Sequence, residues 1–202
     1  MKADLSQPTV AEGEAPKQSR WLRETLVVVV VALAAALLLR TFVVQTFYIP
    51  SGSMEPTLQI GDRILVNKLS YHLHGVDRGN IVVFRRPADE NCGGPPVADL
   101  VKRVIGLPGE TISLSGGRVL IDGKPLDETW LPTAVQGATF PGPSGTTYSL
   151  AKPYVIPSNH YFVMGDNRAD SCDSRYWGPI AKSLIVGKVD VRVWPITSFH
   201  FF

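Results

Sequence analysis

Cysteine is almost missing from this 202-residue chain: there are two, Cys92 and Cys172, beside four histidines. They form no His/Cys cluster of the kind a zinc site uses. The acid-rich stretch from Gly165 to Gly178 lacks the ligand spacing, central glycine and terminal Glu of a calcium loop. No metal or other cofactor is therefore expected. Charge of one sign is also missing. The net charge is +2 with 19% of residues charged, and no acidic tail or basic face points to nucleic acid as a partner. No internal repeat of useful period is present.

What the chain does have is an uneven distribution of apolar residues. Leu26 to Leu39 reads LVVVVVALAAALLL, unbroken by any polar residue. Taken as 21–44, the segment is long enough for a bilayer, which needs about 20 helical residues. Arg40 fits near one end, because a long cationic side chain can snorkel to the headgroups. Lys17, Arg20 and Arg23 precede the run, so the positive-inside pattern puts the N-terminus in the cytoplasm and the rest outside. The segment after the run, Arg40-Thr41-Phe42-Val43-Val44-Gln45, makes a poor cleavage site, which argues against a removed leader. Five consecutive valines argue against a buried soluble helix. Residues 1–20 are polar, contain Pro8 and Pro16, and read as a disordered cytoplasmic tail.

Beyond the run the texture changes to short Val/Ile/Phe/Tyr-rich segments punctuated by Gly and Pro. Strands are expected at 43–49, 63–67, 80–85, 99–105, 111–114, 118–121, 161–164 and 183–194. Gly116-Gly117 predicts a tight hairpin, and Asp122-Gly123 a further turn. The Pro/Gly/Ser/Thr-rich stretch 133–152 reads as an excursion from the main sheet, with room for a small hairpin. The expected fold is mainly β: a barrel-like antiparallel domain, 45–202, on a single transmembrane helix.

Three segments carry candidate chemistry. In Tyr48-Ile49-Pro50-Ser51-Gly52-Ser53-Met54-Glu55-Pro56, two serines flank a glycine between prolines. Such a turn can present a hydroxyl and aim backbone N–H groups at one point; it is equally an ordinary Ser/Gly/Pro turn. A serine needs a base before it becomes a nucleophile. His72, His74, His160 and His200 sit in no setting resembling a Ser-His-Asp motif. Lys102 lies in the apolar strand Asp99–Ile105, where burial would lower its pKa and let it accept a proton. The alternative is a surface lysine beside Arg103. In the third segment, Gly165 to Gly178, Asp166, Asp173 and Arg175 can form ion pairs that hold a loop.

Together PSGSMEPTL, RGNIVVF…DLVKRVIGLPGE and GDNRADSCDSRYWG, in this order behind an apolar run, resemble the bacterial type I signal peptidases. The resemblance covers about 40–194. It implies a β-rich protease of the Ser–Lys type, in the bacterial cytoplasmic membrane as a single-pass protein, with its site outside. It further implies cleavage of signal peptides from exported preproteins after small-x-small sequences, with those signal peptides and the lipid bilayer as partners.

Carried over by position, Ser53 is the nucleophile and Lys102 the general base. The Ser53 N–H and Ser51 hydroxyl form the oxyanion hole, Ser171 orients the lysine, and Asp166, Asp173 and Arg175 form structural ion pairs. Phe47, Ile49, Met54, Leu58, Ile64, Leu100 and Val101 are the expected lining of shallow pockets that admit small side chains and exclude large ones. Asn80 departs from the aspartate that the family often has there, outside the catalytic roles. Cys92 and Cys172 are either bridged, bracing the loop behind Lys102 in an oxidising compartment, or two free thiols. Other readings are a different Ser–Lys processing protease, or an inactive membrane-tethered module that binds signal peptides.

Overall fold

The computed structural model describes residues 18–93 and 97–202, without the side chains of 18–20, 38–42 and 72. The expected disordered tail therefore lies outside the described residues up to 17. The chain separates into two units, Met1–Leu39 and Arg40–Phe202.

Helix α1, Gln18–Phe42, contains the apolar run, and its described side chains, 21–37, are all exposed. Among the described residues no helix is long and apolar enough to cross a membrane; the run itself continues into 38–42, whose side chains lie outside the description.

Residues of the second unit form β1 (Val44–Tyr48), β2 (Arg63–Asn67), the single turn α2 (Ser70–Leu73), β3 (Ile81–Arg85) and β4 (Asp99–Gly106). Next come β5 (Thr111–Ser115), β6 (Arg118–Ile121), β7 (Lys124–Pro125), β8 (Tyr154–Val155) and β9 (His160–Met164). The turn α3 (Ser174–Trp177), β10 (Ile180–Ala181), β11 (Ile185–Trp194) and β12 (His200–Phe201) complete it. The strands follow the apolar segments of the sequence. β2 shows why: Ile64 and Val66 alternate into the core while Arg63 faces out. At the β5–β6 hairpin both Gly116 and Gly117 have positive φ, and a Cβ on Gly117 would sit 1.9 Å from the Gly137 carbonyl oxygen. The stretch 133–152 carries turns but no strand.

Two antiparallel sheets result. The larger has eight strands in the order β1-β2-β11-β3-β4-β9-β10, with β12 on β11; the smaller runs β7-β6-β5-β8. One apolar cluster, including Met54, Leu58, Ile64 and Val189, lies under β1–β2–β11, and another, around Ile112, Leu150 and Phe162, lies between β9 and the small sheet.

The large sheet does not close into the expected barrel. β1 pairs only with β2, and β9 meets β4 only from Arg103 onward. Among the described residues, the outer edges of β1 and of the first half of β4 thus stay unpaired. Yet both edges line one groove, although three strands separate them in the sheet. The sheet is curled, and a cleft occupies the gap that a barrel would have sealed.

Candidate active site

Ser53 sits in a 3-10 turn, Gly52–Met54, directly after β1. Ser51 enters it in extended conformation. Gly52 does not use left-handed backbone freedom; a side chain there would instead come within 3.1 Å of the Glu55 carboxyl group. Lys102 arrives from β4, paired with Val82 across β3. Lys102 lines the cleft together with Leu100 and Val101, whereas Arg103 does not.

The two side chains meet: Lys102 Nζ lies 2.6 Å from Ser53 Oγ, and Ser51 Oγ lies 3.5 Å from Ser53 Oγ. Lys102 is only 4% exposed. Burial lowers its pKa from 10.5 to about 8; Asp173 opposes the shift and Arg175 adds to it. A serine hydroxyl is thereby placed against an amine that loses its proton far more readily than a surface lysine does.

The Gly165–Arg175 loop, between β9 and α3, braces this pair. Asn167 bonds the Ser53 turn twice, from its backbone N–H to Ser53 O at 3.1 Å and from Nδ2 to Gly52 O at 3.2 Å. Three buried ion pairs fix the loop. Arg175 grips Asp173 through Nη2–Oδ2 at 2.7 Å and Nε–Oδ1 at 2.8 Å, and the same carboxylate accepts from the Gly165 N–H at 3.0 Å. Burial alone would raise the Asp173 pKa, but its hydrogen bonds and attraction to Arg175 hold it below the ordinary value. Arg103 grips Asp166 with Nε and Nη2 at 2.8 and 2.6 Å, and Thr57 Oγ1 donates to Asp166 at 2.5 Å. Arg168 pairs with Glu128 and donates to Thr139 Oγ1 at 3.0 Å.

Ser171 is buried, and its hydroxyl has no hydrogen-bond partner among the described residues. It nevertheless lies at the site. A Cβ built on Gly165 would fall 2.2 Å from Ser171 Oγ and 2.3 Å from Ser53 O. Cys172 is joined to Cys92 by a disulfide with a Cα–Cα distance of 6.2 Å, inside the range that a bridge spans.

The cleft above the pair, about 340 Å3, is lined by five of the expected pocket residues: Phe47, Ile49, Met54, Leu100 and Val101. Leu58 and Ile64 do not line it. Both are fully buried in the cluster behind, because their strand and turn face the sheet interior. Of the described histidines, His74, His160 and His200, none lines the cleft. Asn167, Thr57, Arg103 and Glu128 escaped the residue reading. Asn167, Thr57 and Arg103 lie inside the quoted motifs, but only the folded register shows what they touch.

A serine hydroxyl set against a desolvated amine is an arrangement that can activate a serine nucleophile. The sequence model of the family "Signal peptidase, peptidase S26" matches residues 22–194, so the chain belongs to that family and is a serine endopeptidase. Similar proteins include a signal peptidase I of Leptolyngbya laminosa, 38% identical over 94% of this chain and 88% of its own. A probable signal peptidase I-2 of Synechocystis is 39% identical over 97% of this chain and 84% of its own. A signal peptidase IB of Staphylococcus aureus is 36% identical over 89% of this chain and 93% of its own.

Proposed function

We propose that this peptidase removes signal peptides from exported preproteins, with Ser53 as nucleophile and Lys102 as general base. The observation that carries the reading is the 2.6 Å approach of a buried Lys102 amine to Ser53 Oγ. Neutral Lys102 takes the Ser53 proton as Oγ attacks the scissile carbonyl. The Ser53 N–H and the Ser51 hydroxyl stabilise the oxyanion that forms. The lysine ammonium then protonates the departing amine, leaving an acyl-enzyme on Ser53. Water, deprotonated by the same amine, releases the acid and regenerates the serine. Asn167, Asp173 and Arg175 hold the two partners in place, and the Ser171 hydroxyl is free to receive a hydrogen bond from Lys102 as it becomes charged.

The unpaired edges of β1 and β4 suit an extended peptide laid between them, with alternate side chains on the same face. Two such side chains meet the walls made by Ile49, Met54, Leu100 and Val101, which leave room for small residues alone. The apolar walls also desolvate Lys102, so selection and base activation draw on the same groups.

We further infer that residues 21–44, most of which lie in α1, are a membrane anchor, with 1–20 as its cytoplasmic tail and the domain from 45 onward on the extracytoplasmic side. The 25 residues of α1 and its exposed apolar run support that placement, since such a surface is costly in water. The test is cleavage of a secretory precursor by the detergent-solubilised protein beside Ser53→Ala. Release of the mature form by the first and not the second is expected. Binding of the precursor without cleavage by either would instead favour a tethered binding module.

A further inference from the structure

The groove does not end at Ser53 and Lys102. It runs back along the two unpaired edges to Phe47 and Asp99, and both of these residues also line a second hollow of about 510 Å3. That hollow is bounded by Gln45 on β1, Lys68 just after β2, Arg85 at the end of β3, and the Ile185-Val186 start of β11. The two hollows therefore form one groove, with the serine–lysine pair at one end and two cations at the other. Asp99 is the one acid in the lining of the second hollow. It is the register partner of Arg85, yet Arg85 is exposed and makes no ion pair among the described residues. By formal charge the lining holds Lys68 and Arg85 against Asp99, beside the apolar Phe47, Ile185 and Val186.

We propose that this mouth is a charge-selecting subsite for the substrate, which receives side chains four to six residues N-terminal to the cleaved bond and favours acidic over basic ones. The proposal rests on the signal-peptidase reading above. The strand spacing sets its position. Asp99 lies three residues before Lys102 on β4, about 10 Å, so a peptide whose scissile bond lies at Ser53 passes Asp99 after about three residues and its fourth to sixth residues lie at the mouth. On the reading above, the residues before the bond lie along the walls of Ile49, Leu100 and Val101, between Ser53 and the mouth. Its occupant is an extended peptide because the hollow continues a groove already flanked by free strand edges.

The experiment uses the full chain in detergent and a set of peptides with an Ala-x-Ala site. They differ only in the fifth residue before the bond, which is Asp, Ser or Lys. In kcat/KM the expected order is Asp, Ser, Lys, with about a three- to tenfold span at low salt that shrinks in concentrated salt. Arg85→Glu should invert the order while the Ser peptide is still cleaved. Equal rates for the three peptides with the unaltered enzyme would overturn the subsite and leave the peptidase reading standing. So would a charge preference that Arg85→Glu does not change, or one that appears only when the charge is placed after the bond. Failure to cleave any of the peptides, or a secretory precursor, would overturn both.

Discussion

In the proposed mechanism Lys102 has two opposed tasks at one atom: it must lose a proton to act and must fold with a charge that its surroundings disfavour. With its pKa lowered to about 8, the amine is mostly protonated at pH 7, so kcat/KM should fall about tenfold per pH unit below about 8. A rate that rises only near pH 10 would mean that the lysine is not desolvated. Lys102→Arg should abolish cleavage, because guanidinium does not deprotonate in proteins. The same shift has a sign for stability. Below about pH 8 both folded and unfolded chains hold this proton, and the fold carries a cost of roughly 3 kcal/mol, relieved as pH rises from about 8 towards 10.5. Lys102→Met should therefore raise Tm by several degrees at pH 7 and by less at pH 10, as thermal melts would show.

Gly165 is the other residue on which geometry speaks plainly. Any Cβ there would strike Ser53 O and Ser171 Oγ together. Gly165→Ala should cost at least a hundredfold in kcat with circular dichroism unchanged, since a shift of about 1 Å in a reacting group costs that much. That Ser53 and Lys102 would meet was legible in the sequence only through their motifs, because neither segment alone separates a candidate catalytic residue from a turn serine or a surface lysine. The need for Gly165 was not legible at all. It depends on a serine and a carbonyl brought together from positions 171 and 53.

Among the elements, the loop from Gly165 to Arg175 decides most. The Asp173–Arg175 pair was readable because its members are two residues apart. The Asp166–Arg103 and Arg168–Glu128 pairs were not, since their partners lie 63 and 40 residues away and are fixed by the β4–β9 register and by the excursion before β8. Strand positions were readable from alternation and turn glycines, whereas the two-residue strands β7, β8, β10 and β12 carry too short a pattern to show. Leu58 and Ile64 were misplaced for a related reason: apolar residues next to a cleft and apolar residues behind it look the same in sequence. Breaking a buried pair leaves an uncompensated charge, so Arg175→Met should destabilise the fold by about 3–5 kcal/mol. Chemical denaturation would measure it. A loss below 1 kcal/mol would mean that Asp173 finds another donor or water.

On the scale of the whole molecule, the disulfide spans 80 residues and ties the segment before β4 to the loop behind the active site. Cross-linking so long a stretch is worth on the order of 4 kcal/mol in the chain-entropy view. Reduction, or Cys92→Ala with Cys172→Ala, should lower Tm by roughly 10 °C, measured by scanning calorimetry.

The order of strands in the large sheet has a consequence for how the enzyme comes into being. β11, Ile185–Trp194, is inserted between β2, which follows the Ser53 turn, and β3, which pairs with the strand of Lys102. Ser53 and Lys102 both precede β11 in the chain, so during synthesis the sheet that joins them lacks its middle until Trp194 has been added. A nascent chain therefore carries both groups of the proposed pair for more than eighty residues of synthesis without an assembled site.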